Sequence, residues 1–311
     1  MLVLSEAEVR SLLTVDRLME RISDALIAVS RGEVSIPPRV AATVPERGFT
    51  AAMPGYVSGV LETKLVSVFP GNERRGIPSH QGVIVAFDPE TGTPLALLDG
   101  TWITAFRTAA TSALATRALA RPDAEVLAVI GTGVQARSHL SVLPHGHPFR
   151  EVRVAGRTAA KVAAVAEETG ATPCGTIAEA VRGADVVSLC TNASEPVISR
   201  RWLAAGAHVN SIGYNESGGE LDEATLREGR IVVESRVAFE PPPAGATELQ
   251  GMEPSDAVEL GEILSGNRRG RTSSEQITVY KSMGHAAEDA AAAGLVLERA
   301  REVGAGASVE L

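Results

Sequence analysis

Three small residues, Gly131, Gly133 and Ala136, stand in the spacing G-x-G-x-x-A directly after the apolar run Val126-Leu127-Ala128-Val129-Ile130. In that pattern a buried parallel strand turns into the first helix of a dinucleotide-binding βαβ unit. Gly131 permits the tight turn, Gly133 lets the backbone approach a pyrophosphate, and Ala136 lets the helix lie close to the strand. The helix N-terminus, starting at Val134 and Gln135, offers free N–H groups to the phosphates. The spacing also occurs in ordinary strand–turn–helix units; the apolar strand before it and the helical sequence after it favour the nucleotide reading.

The tip of the next strand chooses between cofactors. An Asp or Glu there would bind a ribose 2′-hydroxyl, and a basic residue would accommodate a 2′-phosphate. The chain reads Val152-Arg153-Val154-Ala155-Gly156-Arg157-Thr158, with no acid at the tip. Arg157 by charge and Thr158 by its hydroxyl suit a phosphate, which prefers NADP(H) and keeps NAD(H) possible; the bland alternative is a solvent-facing arginine. Thr191-Asn192 follows a later strand and is placed to approach a nicotinamide ribose, or is a polar loop of the Asx-turn kind.

A second group of residues concerns a substrate. Arg107 sits among Ala and Thr in ITAFRTAATSALA, where a guanidinium suits a bidentate grip on a carboxylate; otherwise it extends to water from a helix flank. Lys64 lies between apolar strand neighbours in LETKLVSVFPG. Lysine seldom goes inside unpaired, so it points outward or has a chemical task. Arg39, after Pro37-Pro38, is a second carboxylate candidate, and Met53-Pro54 either shapes a pocket wall or fills the core.

Several elements must position these residues. Ser5 with Glu8 makes a capping box before helical sequence that runs to Ser30. Short β-type runs separated by Pro and Gly fill 36–98, including a hairpin signature at Asp88-Pro89 and Thr91-Gly92. Helical sequence follows from Trp102 to Leu119. Strands at Val126–Ile130, Glu151–Ala155, Asp185–Cys190, His208–Ile212 and Ile231–Glu234 then alternate with helices at Val134–Leu143, Ala159–Glu168, Ile177–Arg182 and Arg200–Ala205. This is a doubly wound, Rossmann-type α/β pattern, joined to an α+β domain made of a helix and a mostly antiparallel sheet. A long Ala/Glu-rich helix, 284–303, returns to the first domain. The expected domains are 1–117 with 285–311, and 118–284.

At 311 residues the chain is long enough for two cores. A net charge of −9 argues against nucleic acid or an anionic membrane surface as partner. Cys174 and Cys190 form no disulfide framework. Neither a signal peptide nor a long apolar span is evident, so a cytoplasmic location is expected. His139, His145 and His147 lack a metal-ligand pattern, and no metal is expected. The run Asn267-Arg268-Arg269-Gly270-Arg271 reads as a solvated loop.

Taken in order, Pro38-Arg39, Met53-Pro54, Lys64, Phe69-Pro70-Gly71-Asn72, His80-Gln81-Gly82, Asp99-Gly100, Arg107-Thr108-Ala109-Ala110, Gly131-Thr132-Gly133 and Lys281-Ser282 resemble the ornithine cyclodeaminase/mu-crystallin family. The run DGTWITAFRTAATSA is the most diagnostic part. The resemblance implies NAD(H) or NADP(H) as cofactor, a small amino or imino acid as substrate, and a homodimer, with the N-terminal sheet and the C-terminal helix forming an α+β substrate-binding and dimerisation domain. It also implies that Arg39 and Arg107 bind the substrate carboxylate, that Lys64 is catalytic, and that His80 faces the pocket. A lysine beside an iminium and two arginines has a depressed pKa, which suits proton transfer near neutrality.

One departure stands out. Cyclodeaminases of this family carry an aspartate just after the strand that ends here in Gly213, and the matching residue is Asn215. Asparagine orients a water or amine but accepts no proton; neighbouring Glu216 is a poor substitute, because adjacent residues point differently. The exchange favours hydride transfer at the C–N bond of an α-amino or α-imino acid over ornithine-to-proline cyclodeamination. Cyclodeamination and non-catalytic NADP(H) binding are the rival readings. The expected catalytic residues are Lys64 and Asn215; Arg39, Met53, Lys64, His80 and Arg107 are expected at the substrate. Thr108, Gly131, Thr132, Gly133, Val134, Gln135, Arg157, Thr158, Thr191, Asn192 and Gly213 are expected at the cofactor.

Overall fold

The computed structural model describes residues 1–310; Leu311, the last residue of the expected first domain, lies outside the described residues. The elements begin with β1 (Leu2–Leu4), α1 (Glu6–Leu12), α2 (Val15–Ser30), β2 (Val40–Val44), β3 (Gly48–Val57) and β4 (Val60–Val68). They continue with β5 (His80–Phe87), β6 (Pro94–Asp99), α3 (Gly100–Leu119), β7 (Val126–Ile130), α4 (Val134–Gly146), β8 (Glu151–Ala155) and α5 (Ala159–Thr169). Next come β9 (Thr172–Pro173), α6 (Ile177–Val181), β10 (Val186–Leu189), β11 (His208–Ser211), α7 (Glu223–Glu228) and β12 (Arg230–Val233). The chain closes with β13 (Val258–Glu259), α8 (Leu260–Leu264), β14 (Thr278–Lys281), α9 (Ala286–Val303) and β15 (Ala307–Ser308).

Contacts divide the chain into two units, Met1–Arg107 with His285–Leu311, and Thr108–Gly284. The first border therefore falls at 107/108 rather than the expected 117/118. Helix α3 is continuous through both positions, so no break in the helical sequence marks the border. Its side chains make the division instead: Arg107 bonds to α9, whereas Ser112 bonds to His139 of α4.

In the first unit a mostly antiparallel sheet runs β15-β1-β6-β5-β4-β3-β2, with β1 parallel to β6. Strand β4 alternates strictly: Glu62, Lys64 and Val66 are buried while Leu65 is 41% exposed. Side chains on successive residues point to opposite faces, so the buried set faces α9, which packs on α2, β3 and β4. Small residues bring the helix close. A Cβ at Gly294 would stand 2.8 Å from Val60, and one at Gly55 would stand 3.3 Å from the Ala286 Cβ. The Ser5–Glu8 capping box starts α1 as its sequence requires.

The second unit holds a parallel sheet in the order β13-β12-β14-β11-β10-β7-β8-β9. Every residue of β7 and β10 is buried, the expected property of strands covered on both faces. The chain order reverses between β7 and β10, and their carboxyl ends form the switch point at which doubly wound sheets bind ligands. Central strand β14 was not expected from apolar pattern alone, because Thr278, Tyr280 and Lys281 interrupt it. The segment expected as a helix at Arg200–Ala205 is only a 3₁₀ turn, Arg200–Trp202. The run ending in Arg271 is not simply a solvated loop: the Arg271 guanidinium donates to the carbonyls of Leu119 and Gln276 and to the Thr278 hydroxyl, closing the end of α3.

Candidate active site

In the first unit, β4, α3 and α9 place four charged side chains together away from solvent. Lys64 Nζ donates to Asp289 Oδ2 at 2.6 Å, Arg107 Nε donates to Asp289 Oδ1 at 3.0 Å, and the Arg107 Nη1 donates to Glu288. All four side chains are at most 4% exposed. Asp289 and Glu288 stand in the first turn of α9, where the positive end of the helix favours carboxylates. Burial, opposed by Asp289 and reinforced by Arg107, holds Lys64 below the usual lysine range. At Asp289 burial acts upward, and Arg107 and Lys64 outweigh it, so the carboxyl sits below its usual range. Two cations and two carboxylates balance one another here.

Lys64 therefore points inward, settling the choice that its apolar neighbours left open. Met53 is buried directly across the ladder from Lys64. His80 opens β5 opposite Val68; burial first, then Lys64 and Arg107, hold its imidazole down to about 4, so it is neutral at pH 7. Arg39 is partly buried and immediately precedes β2, whose first pair, Val40 with Ala52, adjoins Met53.

A fifth group was missed. Glu62 is fully buried two residues before Lys64 on the same face, and neither carboxyl oxygen has a hydrogen-bond partner among the described residues. Burial first, then Asp289, pushes it up to about 9. Alternation in LETKLVSV contained the signal, since the face that takes Lys64 inside must take Glu62 with it. Asp289 and Glu288 gave less warning: they are two acids in an Ala/Glu-rich helical segment, and nothing local marks them as buried.

The second unit carries the glycine loop. Gly131 has φ +135°, its N–H donates to Ala155 at 2.8 Å, and a Cβ there would stand 2.4 Å from the Cys190 carbonyl oxygen. Gly133 caps α4 with no side-chain bond, and a Cβ there would meet nothing within 4 Å. Uncapped first-turn N–H groups and open space beside the backbone fit a phosphate group. Gln135 Oε1 is a buried acceptor without a partner among the described residues, and Val134 is 60% exposed. The Thr132 carbonyl accepts from Arg137 at 2.6 Å. Arg157 is exposed, and Thr158 starts α5 without a side-chain cap bond. Thr108, in α3, is buried.

At the carboxyl ends of the sheet a buried acid ties the loops together. Glu220 Oε1 accepts from the Thr191 N–H and hydroxyl, and Oε2 accepts from Ser211 Oγ and the Gly213 N–H. Lys281 Nζ lies 2.5 Å from Glu248 and donates to the Gly213 carbonyl at 2.6 Å. Glu220, Glu248 and Lys281 thus fix Thr191 and Gly213, and sequence reading gave none of the three acid or base partners a role. Asn192 is exposed. Asn215 is held by the backbone: its Nδ2 donates to the Asn192 carbonyl at 3.3 Å and its Oδ1 accepts from the Ser217 N–H at 2.9 Å. Among the described residues no group of His, Cys, Asp and Glu is arranged to hold a metal ion, and no helix is long and apolar enough to cross a membrane.

With this geometry in view, comparison with known proteins is specific. Ketimine reductase mu-crystallin of Mus musculus is 39% identical over 273 residues, 86% of each chain. The structure of Thermococcus litoralis Δ1-pyrroline-2-carboxylate reductase, in complex with NADH and L-proline, is 33% identical with a TM-score of 0.91, covering 99% of this chain and 100% of that one. An archaeal alanine dehydrogenase dimer with bound NAD is 30% identical with a TM-score of 0.90, over 100% and 99% of the two chains. Residues 1–304 match the ornithine cyclodeaminase/mu-crystallin family, and the chain belongs to it.

Proposed function

We propose that this protein is an NADP(H)-preferring oxidoreductase that reduces the C=N bond of a small α-imino acid, or oxidises the corresponding amino acid. The observation that carries the reading is the buried Lys64–Asp289–Arg107 group. The desolvation of charges buried this completely can exceed the attraction gained, so stability alone is a weak reason for them, and a lysine so placed is suited to proton transfer. The relatives named above reduce ketimines or pyrroline-2-carboxylate, or oxidise alanine.

Arg107, with Arg39, binds the substrate carboxylate; its fork, oriented from behind by Glu288 and Asp289, keeps a fixed direction. Met53 lines the substrate side, and neutral His80 offers a hydrogen bond without adding charge. A nicotinamide cofactor would supply or accept the hydride at the substrate Cα. As the C=N π pair becomes the nitrogen lone pair, Lys64 gives its proton to the nitrogen, and in oxidation it takes one; Asp289 holds the ammonium in place. Asn215 is occupied by backbone bonds, so proton handling rests on Lys64.

Cofactor binding is assigned to Gly131, Thr132, Gly133, Val134 and Gln135 for the pyrophosphate, and to Arg157 and Thr158 for the 2′-phosphate. Thr108, Thr191, Asn192 and Gly213 are assigned to the nicotinamide side. The preference for NADP(H) rests on the exposed Arg157 and the absence of an acid after β8; the related structures hold NADH or NAD.

A homodimer belongs to the same reading. Val40, Leu65 and Val83, which are 67%, 41% and 38% exposed, form an apolar row with Ala52 across the outer face of the first sheet, and such rows are usual at interfaces. Both cysteines are free thiols, the state that a cytoplasmic location maintains.

The test follows NADPH and NADH absorbance with 1-pyrroline-2-carboxylate, and assays ammonia and proline from ornithine in parallel. Net cofactor oxidation, abolished in Lys64→Ala, is the expected result. Ammonia and proline without net oxidation would mean cyclodeamination instead, and an Asn215→Asp variant that gained nothing on ornithine would count against that alternative.

A further inference from the structure

Glu62 has no part in the reaction described above, yet it occupies a costly position. It is 0% exposed, and both carboxyl oxygens lack a hydrogen-bond partner among the described residues. A buried polar group without a partner is destabilising by its lost hydration. The surrounding fold makes room for it. Gly55 lies directly across the ladder from Glu62, and a Cβ on Gly55 would stand 3.4 Å from Glu62 Oε1, with the Ala286 Cβ and Ile36 Cγ1 at 3.3 and 3.6 Å. The missing side chain of Gly55 thus leaves an apolar niche, bordered by Ile36 and Ala286, on which the carboxyl abuts.

The groups that act on it are Lys64 on its own strand, Asp289 of α9 and Arg107 of α3. Glu288 of α9 and His80 of β5 complete the charged and titratable set around that cluster. Lys64 and Arg107 are already matched by Asp289 and Glu288. These groups, Arg39 apart, therefore carry no net charge only while Glu62 is neutral. An ionised Glu62 adds a negative charge in a low-dielectric site, where like charges repel strongly.

We propose that Glu62 is a positioning residue of the substrate site, a neutral acid packed beside Lys64 in the room left by Gly55, whose loss of a proton weakens substrate carboxylate binding and raises KM at alkaline pH. This rests on the reading of Lys64 and Arg107 as the substrate site. The niche holds the carboxyl protonated up to about pH 9, so the group is silent at neutrality and acts above it.

The test uses Glu62→Gln and Glu62→Leu, neither of which can ionise. Leucine is chosen because an apolar side chain suits a niche in which neither oxygen finds a partner. KM for 1-pyrroline-2-carboxylate is measured with saturating reduced cofactor from about pH 7.5 to about pH 10, bracketing the Glu62 value; titration of the probe itself is common to all enzymes. The wild-type KM is expected to rise about tenfold more over this range than that of either variant. Variants that follow the wild-type KM curve would overturn the role of Glu62. An Arg107→Ala variant with unchanged KM at about pH 7.5 would instead remove the substrate-site reading, so the two failures are read from different enzymes.

Discussion

Lys64 and Asp289, 225 positions apart in the chain, meet at 2.6 Å in a space closed to water. Asp289 also receives Arg107, so a single carboxylate orders both cations. Asp289→Asn keeps the shape and removes the charge. It leaves Lys64 and Arg107 with Glu288 alone, and breaking a buried pair in this way costs about 3–5 kcal/mol. We expect a matching loss in denaturant titrations and a fall in kcat/KM of about a hundredfold. Wild-type turnover in this variant would remove Asp289 from the account.

The two loop glycines separate folding from cofactor binding. Gly131 has a positive φ and a carbonyl 2.4 Å from where a Cβ would stand, so Gly131→Ala must move β7 or β10 and lowers stability by more than about 2 kcal/mol. Gly133 has φ −89° and open space. Gly133→Ala should therefore keep the wild-type melting temperature to within about 2 °C while weakening NADPH binding about tenfold or more, since the methyl group would fill the open space that the proposed pyrophosphate site needs. Fluorescence titration with NADPH beside thermal melting distinguishes the two; equal losses of stability would refute the division.

The nucleotide unit was legible because each signal in it is local. β7 and β8 fall at Val126–Ile130 and Glu151–Ala155 as the apolar runs require, and Gly131 shows the left-sided backbone that the turn demands. The substrate group was half legible. Lys64 and Arg107 stand out as charges among small or apolar neighbours, but their partners do not, because Asp289 reaches Lys64 only when α9 is carried close to β4 by Gly55, Ala286 and Gly294. Glu220 and Lys281 were hidden for the same reason: the contacts that give them meaning join loops far apart in sequence. β14 was hidden by its own polar residues, which are buried; Thr278 among them joins a hydrogen-bonded row with His208, Asn210 and Thr116.

Three histidines make the fold sensitive to mild acid. Burial holds His139 down to about 4 and His208 down to about 3, and burial with Lys64 and Arg107 holds His80 to about 4, against an ordinary 6.5. Below pH 6.5 the unfolded chain takes up protons at these positions while the folded chain does not. Stability is therefore whole above the unfolded value and declines as pH falls toward the folded ones, by up to about 1.4 kcal/mol per pH unit for each group. Denaturant midpoints from about pH 7.5 to about pH 5 should drop accordingly. His139→Gln should flatten the slope, and a variant with the wild-type slope would exclude His139 as a contributor.

On the proposed preference for NADP(H), cofactor choice turns on Arg157. It is exposed, makes no ion pair among the described residues, and stands one residue before the uncapped start of α5. In that proposal the guanidinium would meet a 2′-phosphate in solvent, where a charge-assisted contact contributes about 1 kcal/mol. Arg157→Ala should raise KM for NADPH about tenfold and leave KM for NADH within about twofold. Arg157→Glu should go further, since an acid at this tip repels the phosphate and accepts from a ribose hydroxyl, reversing the preference. The wild-type advantage for NADPH should shrink as salt is raised, because an exposed pair is screened. If both cofactors lose affinity equally in Arg157→Ala, the arginine serves the loop and not the phosphate, and the preference for NADP(H) falls with it.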